Sequence, residues 1–225
     1  MNGSVRRTLN SLLNPQRQYL PNLAETLHDQ LREDDASCLA IARSAADLGS
    51  VVQLVAHHYD LPAVALHGTK SISLVLQSSS SLEPAFARAI TTIVNNDGIQ
   101  AMLACCEAHP YVGDEQALNV CTALQLLHKV CACAHLGLGA LAPRAARVVA
   151  SALIVHAERH CVCTSAIPLA EHIAVHEDGD AALAFCNANG VRALYHAAEI
   201  WREGSPRLAQ TASRAFLRIM DHTRR

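Results

Sequence analysis

The chain has 225 residues, of which 51% are hydrophobic and 17% are charged, and its formal net charge is -2. A chain so rich in apolar residues is not intrinsically disordered, and its balanced charge predicts neither a nucleic-acid partner nor a membrane partner. Aromatic residues make up only 4% of the chain, fewer than an all-β sandwich normally uses, so the composition favours helices.

Residues 1–34 are predicted to form a basic N-terminal arm and a capping helix. The first 24 residues contain three arginines and no acidic residue, and Val5, Leu9 and Leu12 recur at helical spacing. Two interpretations remain open: an arm that docks on a partner or caps the first repeat, or a mitochondrial targeting segment.

The cellular location is predicted from cysteine usage and from the lengths of the apolar runs. Nine cysteines, an odd number, lie mostly in helix-like segments, which indicates buried thiols in a reducing compartment. The longest apolar run, residues 148–155, is too short for a membrane span. We therefore expect a cytoplasmic protein, with a mitochondrial protein as the alternative.

Residues 35–225 are predicted to form a single all-helical domain. Apolar residues recur every three or four positions, and no segment shows the strict alternation of a β-strand. Glycine, asparagine and proline mark the breaks, as at residues 96–98, 189–190 and 204–206. The predicted helices cover residues 37–48, 50–58, 62–76, 83–95, 98–109, 114–133, 143–160, 165–176, 179–187, 190–202 and 206–221.

Two of these stretches are related by an internal repeat. A shift of 92 residues places Gly98 over Gly190, and the similarity continues without a gap as far as residue 127 over residue 219. A weaker third copy begins at Gly49, which lies 49 residues before Gly98. Since 92 is about twice 46, a structural unit in the mid-forties fits both spacings.

The repeated pattern is Gly-(Ile/Val)-x-Ala-(Leu/Met), a turn, and then a helix with Ala-(Leu/Phe)-x-x-(Leu/Ile). It resembles the armadillo repeat family, well over residues 83–130 and 179–221 and fairly over 37–76. The resemblance is poor over 134–178, where we expect a degenerate two-helix unit. It implies a right-handed α-solenoid of about four repeats, with a concave face lined by the third helix of each repeat.

Partner-binding residues are predicted on these third helices. The ladder of tryptophan and asparagine found in the nuclear-import members is missing here, so the resemblance does not imply recognition of basic localisation signals. A partly basic stripe instead favours an extended or acidic segment of a protein partner within a multi-subunit complex, and a cytoskeletal or ciliary complex is the expected setting. An ordinary solvated surface is the alternative. The predicted groove residues are Lys70, Asn119, Thr122, Leu126, Arg144, Arg147, Arg207, Arg214 and Arg218.

No catalytic motif is found, so we expect neither enzymatic activity nor a cofactor. An alternative is zinc binding by a histidine- and cysteine-rich segment, because helical spacing places its histidines in pairs on one helix face. The candidate ligands are His156, His160, Cys161, Cys163, His172 and His176. Histidine and cysteine are abundant throughout the chain and no Cys-x-x-Cys pair occurs, so a structural role for these residues is favoured.

Overall fold

The computed structural model describes residues 1–12, 16–109, 113–134, 138–176 and 179–223, without the side chains of residues 133, 134, 175 and 176. Within these residues the protein contains thirteen α-helices, two short 3₁₀ helices and no strand, so the prediction of an all-helical fold is confirmed. The α-helices are α1 (Gly3–Ser11), α2 (Leu20–Arg32), α3 (Asp35–Arg43), α4 (Ala45–His58), α5 (Pro62–Ser79), α6 (Glu83–Asn95), α7 (Gly98–Ala108), α8 (Asp114–Ala134), α9 (Ala142–Val155), α10 (His160–His176), α11 (Gly179–Asn187), α12 (Gly190–Ile200) and α13 (Pro206–Thr223).

The chain divides into two compact units, Met1–Ala108 and His109–Arg225. In unit 1, α2 packs against α5 and buries Leu20, Leu27 and Leu31 completely or almost completely. Helix α4 packs against α5, α6 and α7, and α3 packs against α5 and α6. Residues 1–34 therefore belong to the same compact unit as residues 35–108.

In unit 2, α10 is the central helix. It packs against α8 and α13 as well as against α9, and α9 in turn contacts α11 and α12. Phe185, Leu124 and Leu153 are almost fully buried in this unit. Burial of apolar side chains at this density is the main source of stability for such helices, since short helices are marginal in isolation.

The two glycines that the repeat aligns, Gly98 and Gly190, begin α7 and α12 in the same local conformation. Each follows a residue in the left-handed region, Asp97 at φ 60° and Asn189 at φ 61°. Among non-glycine residues, asparagine and aspartate adopt this region most readily. Asp97 and Asn189 are themselves related by the shift of 92, so the turn chemistry repeats together with the sequence.

The same two glycines are also crowded by equivalent residues. A Cβ atom at Gly98 would lie 2.6 Å from the carbonyl oxygen of Ile93, and one at Gly190 would lie 2.4 Å from the Phe185 ring. Ile93 and Phe185 each lie five positions before the glycine. Each glycine is therefore required by close packing against the end of the preceding helix.

The weaker third copy does not share this start. Gly49 lies inside α4, which begins four residues earlier, so the predicted break between residues 48 and 50 was wrong. The break is at Ser44, whose hydroxyl oxygen accepts a 3.2 Å hydrogen bond from the backbone N–H of Asp47 and caps α4.

Within the described residues no single helix is long and apolar enough to cross a membrane; α3 and α4 together meet that test but are bent by 97° at their break.

Two helices, α9 and α10, occupy the stretch predicted to form a degenerate unit, but their shared break lies earlier than predicted. Helix α9 ends at Val155 rather than at residue 160, because His156 leaves the helical region at φ -120° and ψ 30°. Helix α10 then begins at His160 rather than at residue 165 and contains Pro168 in its interior. A proline there removes one backbone hydrogen bond from the helix.

Candidate functional site

The exposed face of α13 carries three of the predicted arginines. Arg207, Arg214 and Arg218 are all exposed, and their spacings of seven and four residues place them on one side of the helix. The adjoining side of the helix is apolar and faces the core of unit 2. Its buried residues are Leu208, Ala212, Ala215 and Ile219.

Two of these arginines share one carboxylate from the neighbouring helix. Glu171, on α10, lies 2.9 Å from Arg218 (Oε1 to Nη1) and 3.7 Å from Arg214 (Oε2 to Nη2). Its side chain is only 17% exposed, whereas those of the two arginines are about half exposed. Arg207 makes no ion pair within the described part of the chain. The α13 face (Arg207, Arg214 and Arg218) therefore keeps a positive charge even after Glu171 and Asp221, an exposed residue on the same side of α13, are counted.

Three predicted groove residues on α8 lie in the interior instead. Asn119 and Leu126 are each 1% exposed, and Thr122 is 8% exposed and donates its hydroxyl proton to the Leu118 carbonyl oxygen. An extended partner could not reach these side chains in this conformation. We therefore do not assign Asn119, Thr122 or Leu126 to a partner-binding surface.

The remaining predicted groove residues are spread over other helices. Arg147 is exposed and Arg144 is half-buried, both on α9 of unit 2. Lys70 is half-buried on α5 of unit 1. The structure thus brings three of the nine predicted residues together on one exposed helix face, and these three are the arginines of α13.

The predicted zinc ligands have structural surroundings where they are described. His156 is 2% exposed, and Cys163 is buried with its thiol donating to the Ala157 carbonyl oxygen at 3.3 Å. Burial raises the pKa of Cys163 to about 11, which disfavours the thiolate that zinc requires. The His160 ring packs edge-on against Trp201, with ring centroids 4.9 Å apart.

These residues do not assemble into a ligand set. Cys161 is exposed and His172 is half-buried, and the side chain of His176 lies outside the described residues. Among the side chains that the structure describes, no group of three or more histidine, cysteine, aspartate or glutamate residues is placed to hold a metal ion. We therefore do not propose a zinc site.

A cleft between the end of α9 and the outer side of α12 was not predicted from the sequence. It consists of two adjoining cavities of about 500 and 370 Å³, and residues Ile154 and His196 line both of them. Ile154 is 50% exposed and Tyr195 is 61% exposed, so two large apolar side chains face solvent at this place. The exposure of Ile154 could not be predicted from the sequence, because it lies in the apolar run 148–155, where hydrophobic periodicity does not distinguish exposed from buried positions.

The larger cavity of this α9–α12 cleft is basic. Arg192 and His196 line it, and none of its described lining residues is acidic. The smaller cavity contains Glu158 and Arg159, and the Arg159 guanidinium lies 2.5 Å from the Asp114 carboxylate. The positive charge of Arg159 is therefore already compensated, whereas Arg192 makes no ion pair within the described residues.

Comparisons of this chain with protein-family models, with curated proteins and with solved structures give no match. Function is therefore inferred from the surfaces of the molecule. Of these, the α13 face and the α9–α12 cleft combine exposed cationic groups with a defined geometry.

Proposed function

We propose that this protein is a non-enzymatic interaction module, built as an armadillo-like α-solenoid of about four repeats, that binds an acidic, extended segment of a protein partner. The common conformation and packing at Gly98 and Gly190 support the repeat. In both units the most extensive packing joins helices two or three elements apart, as α2 with α5 and α10 with α13, which supports the stacking of successive three-helix repeats. The cytoskeletal or ciliary setting remains a prediction from the sequence.

The observation that carries the proposal is the charge of the α13 face. Three exposed arginines face one ion-paired carboxylate, that of Glu171, and Asp221 lies on the same side of α13, so the face keeps a net positive charge. Arginine binds carboxylates through paired, charge-assisted hydrogen bonds, which makes an acidic segment the best match. An extended segment could follow the helix axis from Arg207 to Arg218, because the three side chains lie along one line.

Glu171 is an internal competitor for this partner. It engages Arg214 and Arg218 when the face is empty, and a bound carboxylate must share or replace it. Ion pairs with exposed arginines contribute only about 0–1 kcal/mol, so the competition is weak. Removing the Glu171 charge should therefore strengthen partner binding, whereas removing the arginines should weaken it.

The experiment measures binding of a fluorescently labelled octaglutamate peptide by polarisation at low salt. We expect Glu171→Gln to tighten the dissociation constant by roughly threefold and the double variant Arg214→Ala/Arg218→Ala to weaken it at least about tenfold, since 1.4 kcal/mol corresponds to a factor of ten. The matched control is Arg6→Ala/Arg7→Ala, which removes two exposed charges from α1 of unit 1.

The control separates a specific site from general attraction. If the α1 and α13 double variants lose affinity equally and Glu171→Gln has no effect, the peptide senses only net charge, and the α13 face is not a binding site. If Glu171→Gln weakens binding, the ion pair orders the arginines rather than competing with the partner. That result would also contradict the proposal.

A further inference from the structure

The α9–α12 cleft differs from the α13 face because it exposes apolar surface as well as charge. Ile154 and Tyr195 are each at least half exposed, and they lie on two helices that pack against each other. Single exposed apolar residues are common on protein surfaces, but a pair that lines one concave site is typical of a binding site. Burying such side chains under a partner would gain hydrophobic free energy.

The charges of the cleft restrict the kind of partner that fits. Arg192 lines the larger cavity together with His196, and no described lining residue of that cavity is acidic. Asn189, which precedes α12, makes no side-chain hydrogen bond to the first turn of that helix, so the positive end of the helix dipole adds to the charge of Arg192. A carboxylate is therefore the complementary group on this side of the cleft.

We propose that the α9–α12 cleft binds a segment of a partner protein that carries a large apolar side chain next to a carboxylate. The apolar side chain lies between Ile154 and Tyr195, and the carboxylate accepts hydrogen bonds from Arg192. The cavity of about 500 Å³ at this place is large enough to hold a phenylalanine side chain with its backbone. Glu158 lines only the smaller cavity, so it does not oppose a carboxylate at Arg192.

The test uses acetylated hexapeptides in which glutamate precedes phenylalanine, in a neutral glycine and serine sequence. Two comparison peptides replace the glutamate by glutamine or the phenylalanine by alanine. Binding is measured from ¹H–¹⁵N correlation spectra of the full 24.1 kDa chain. We expect a dissociation constant on the order of 1 mM for the glutamate–phenylalanine peptide, and shifts confined to residues of α9 and α12.

Two variants and two matched controls locate the site. Arg192→Glu and Tyr195→Ala should each weaken binding by about tenfold or more, as expected for the loss of one anchoring group. Arg6→Glu reverses an exposed charge in unit 1, and Leu183→Ala removes an exposed apolar side chain that does not line the cleft. Both controls should bind like the unmodified protein. All four side chains are exposed, so circular dichroism should show unchanged folding.

Several outcomes would overturn the assignment. Equal affinity for the glutamine peptide, undiminished binding by Arg192→Glu, spectral shifts elsewhere, or no binding at several millimolar would each do so. Sedimentation tests the other occupant, since a dimer that Tyr195→Ala dissociates would show that a second copy of the chain fills the cleft. None of these results bears on the α13 face, which the octaglutamate experiment tests separately.

Discussion

Asn119 provides the sharpest test of the packing within unit 2. Its side chain is 1% exposed, and neither the amide nitrogen nor the amide oxygen has a hydrogen-bond partner among the described residues. A buried polar group without a partner costs about 1–3 kcal/mol, because its hydrogen bonds to water are lost on folding. We therefore predict that Asn119→Leu raises the free energy of unfolding by about 1–3 kcal/mol, and that Asn119→Ala changes it by less than about 1 kcal/mol, because a small cavity offsets the gain.

The assay is urea unfolding followed by the fluorescence of Trp201, the single tryptophan of the chain. Trp201 belongs to unit 2, as Asn119 does, and its indole N–H donates to the Ala157 carbonyl oxygen at 3.1 Å. It therefore reports on the unit that is perturbed even if the two units unfold separately. The matched control is Thr122→Val on the same helix, which removes a hydrogen bond that is made and should lower the free energy of unfolding by about 0.5–1.5 kcal/mol.

The two Asn119 variants together separate polarity from size. Leucine is larger than asparagine, so a loss of stability in Asn119→Leu alone would indicate overpacking. A loss of 2 kcal/mol or more in both variants would mean that the amide makes strong hydrogen bonds in solution. The assignment of Asn119 as an unsatisfied core residue would then be refuted.

Two further predictions concern the repeat and four buried or half-buried histidines. Gly98→Ala and Gly190→Ala should each lower the free energy of unfolding by about 1–3 kcal/mol through overpacking. Gly179→Ala is the control, because a Cβ atom there would meet nothing within 4 Å, and it should not lower the free energy of unfolding. Equal effects of the three variants in thermal unfolding would contradict the close packing at Gly98 and Gly190. Burial lowers the pKa of four histidines below 6.5, so the unfolded chain binds more protons than the folded chain. The free energy of unfolding should therefore fall as the pH is lowered from about 7 to 5, by at most about 1.4 kcal/mol per pH unit for each histidine. A denaturant midpoint that increases as the pH is lowered would contradict this prediction. These histidines are His28, His58, His128 and His156.

The sequence predicts the helix starts best where a residue has one strong conformational preference. Pro62 and Pro206 begin α5 and α13 as expected, and Gly98 and Gly190 begin α7 and α12. The misplaced breaks have no such marker. Ser44 ends one helix and caps the next without glycine or proline, so only its hydrogen bond to the following turn reveals the break.

Helical spacing predicts which candidate residues share a helix face but not what that face packs against. The three arginines of α13 recur with helical period, so their shared face follows from the sequence alone. Their partner Glu171 does not, because it lies 43 positions before Arg214 and reaches it only through the packing of α10 on α13. For Asn119 the predicted exposure is wrong: its polarity and its place on α8 predict an open groove, but its side chain is buried.

The two surfaces proposed to bind partners in unit 2 would select them by different physical means. The α13 face offers exposed charge along one helix, so under the proposal it would attract an acidic segment over a distance and release it as ionic strength rises. The α9–α12 cleft offers exposed apolar side chains beside Arg192, so most of the affinity proposed for it would come from buried area, which salt does not screen. A partner that used both surfaces would be captured through charge on α13 and retained through Ile154 and Tyr195. Raising the ionic strength would then slow the association of this partner more than it speeds its dissociation. A partner held by α13 alone would instead dissociate faster at high ionic strength.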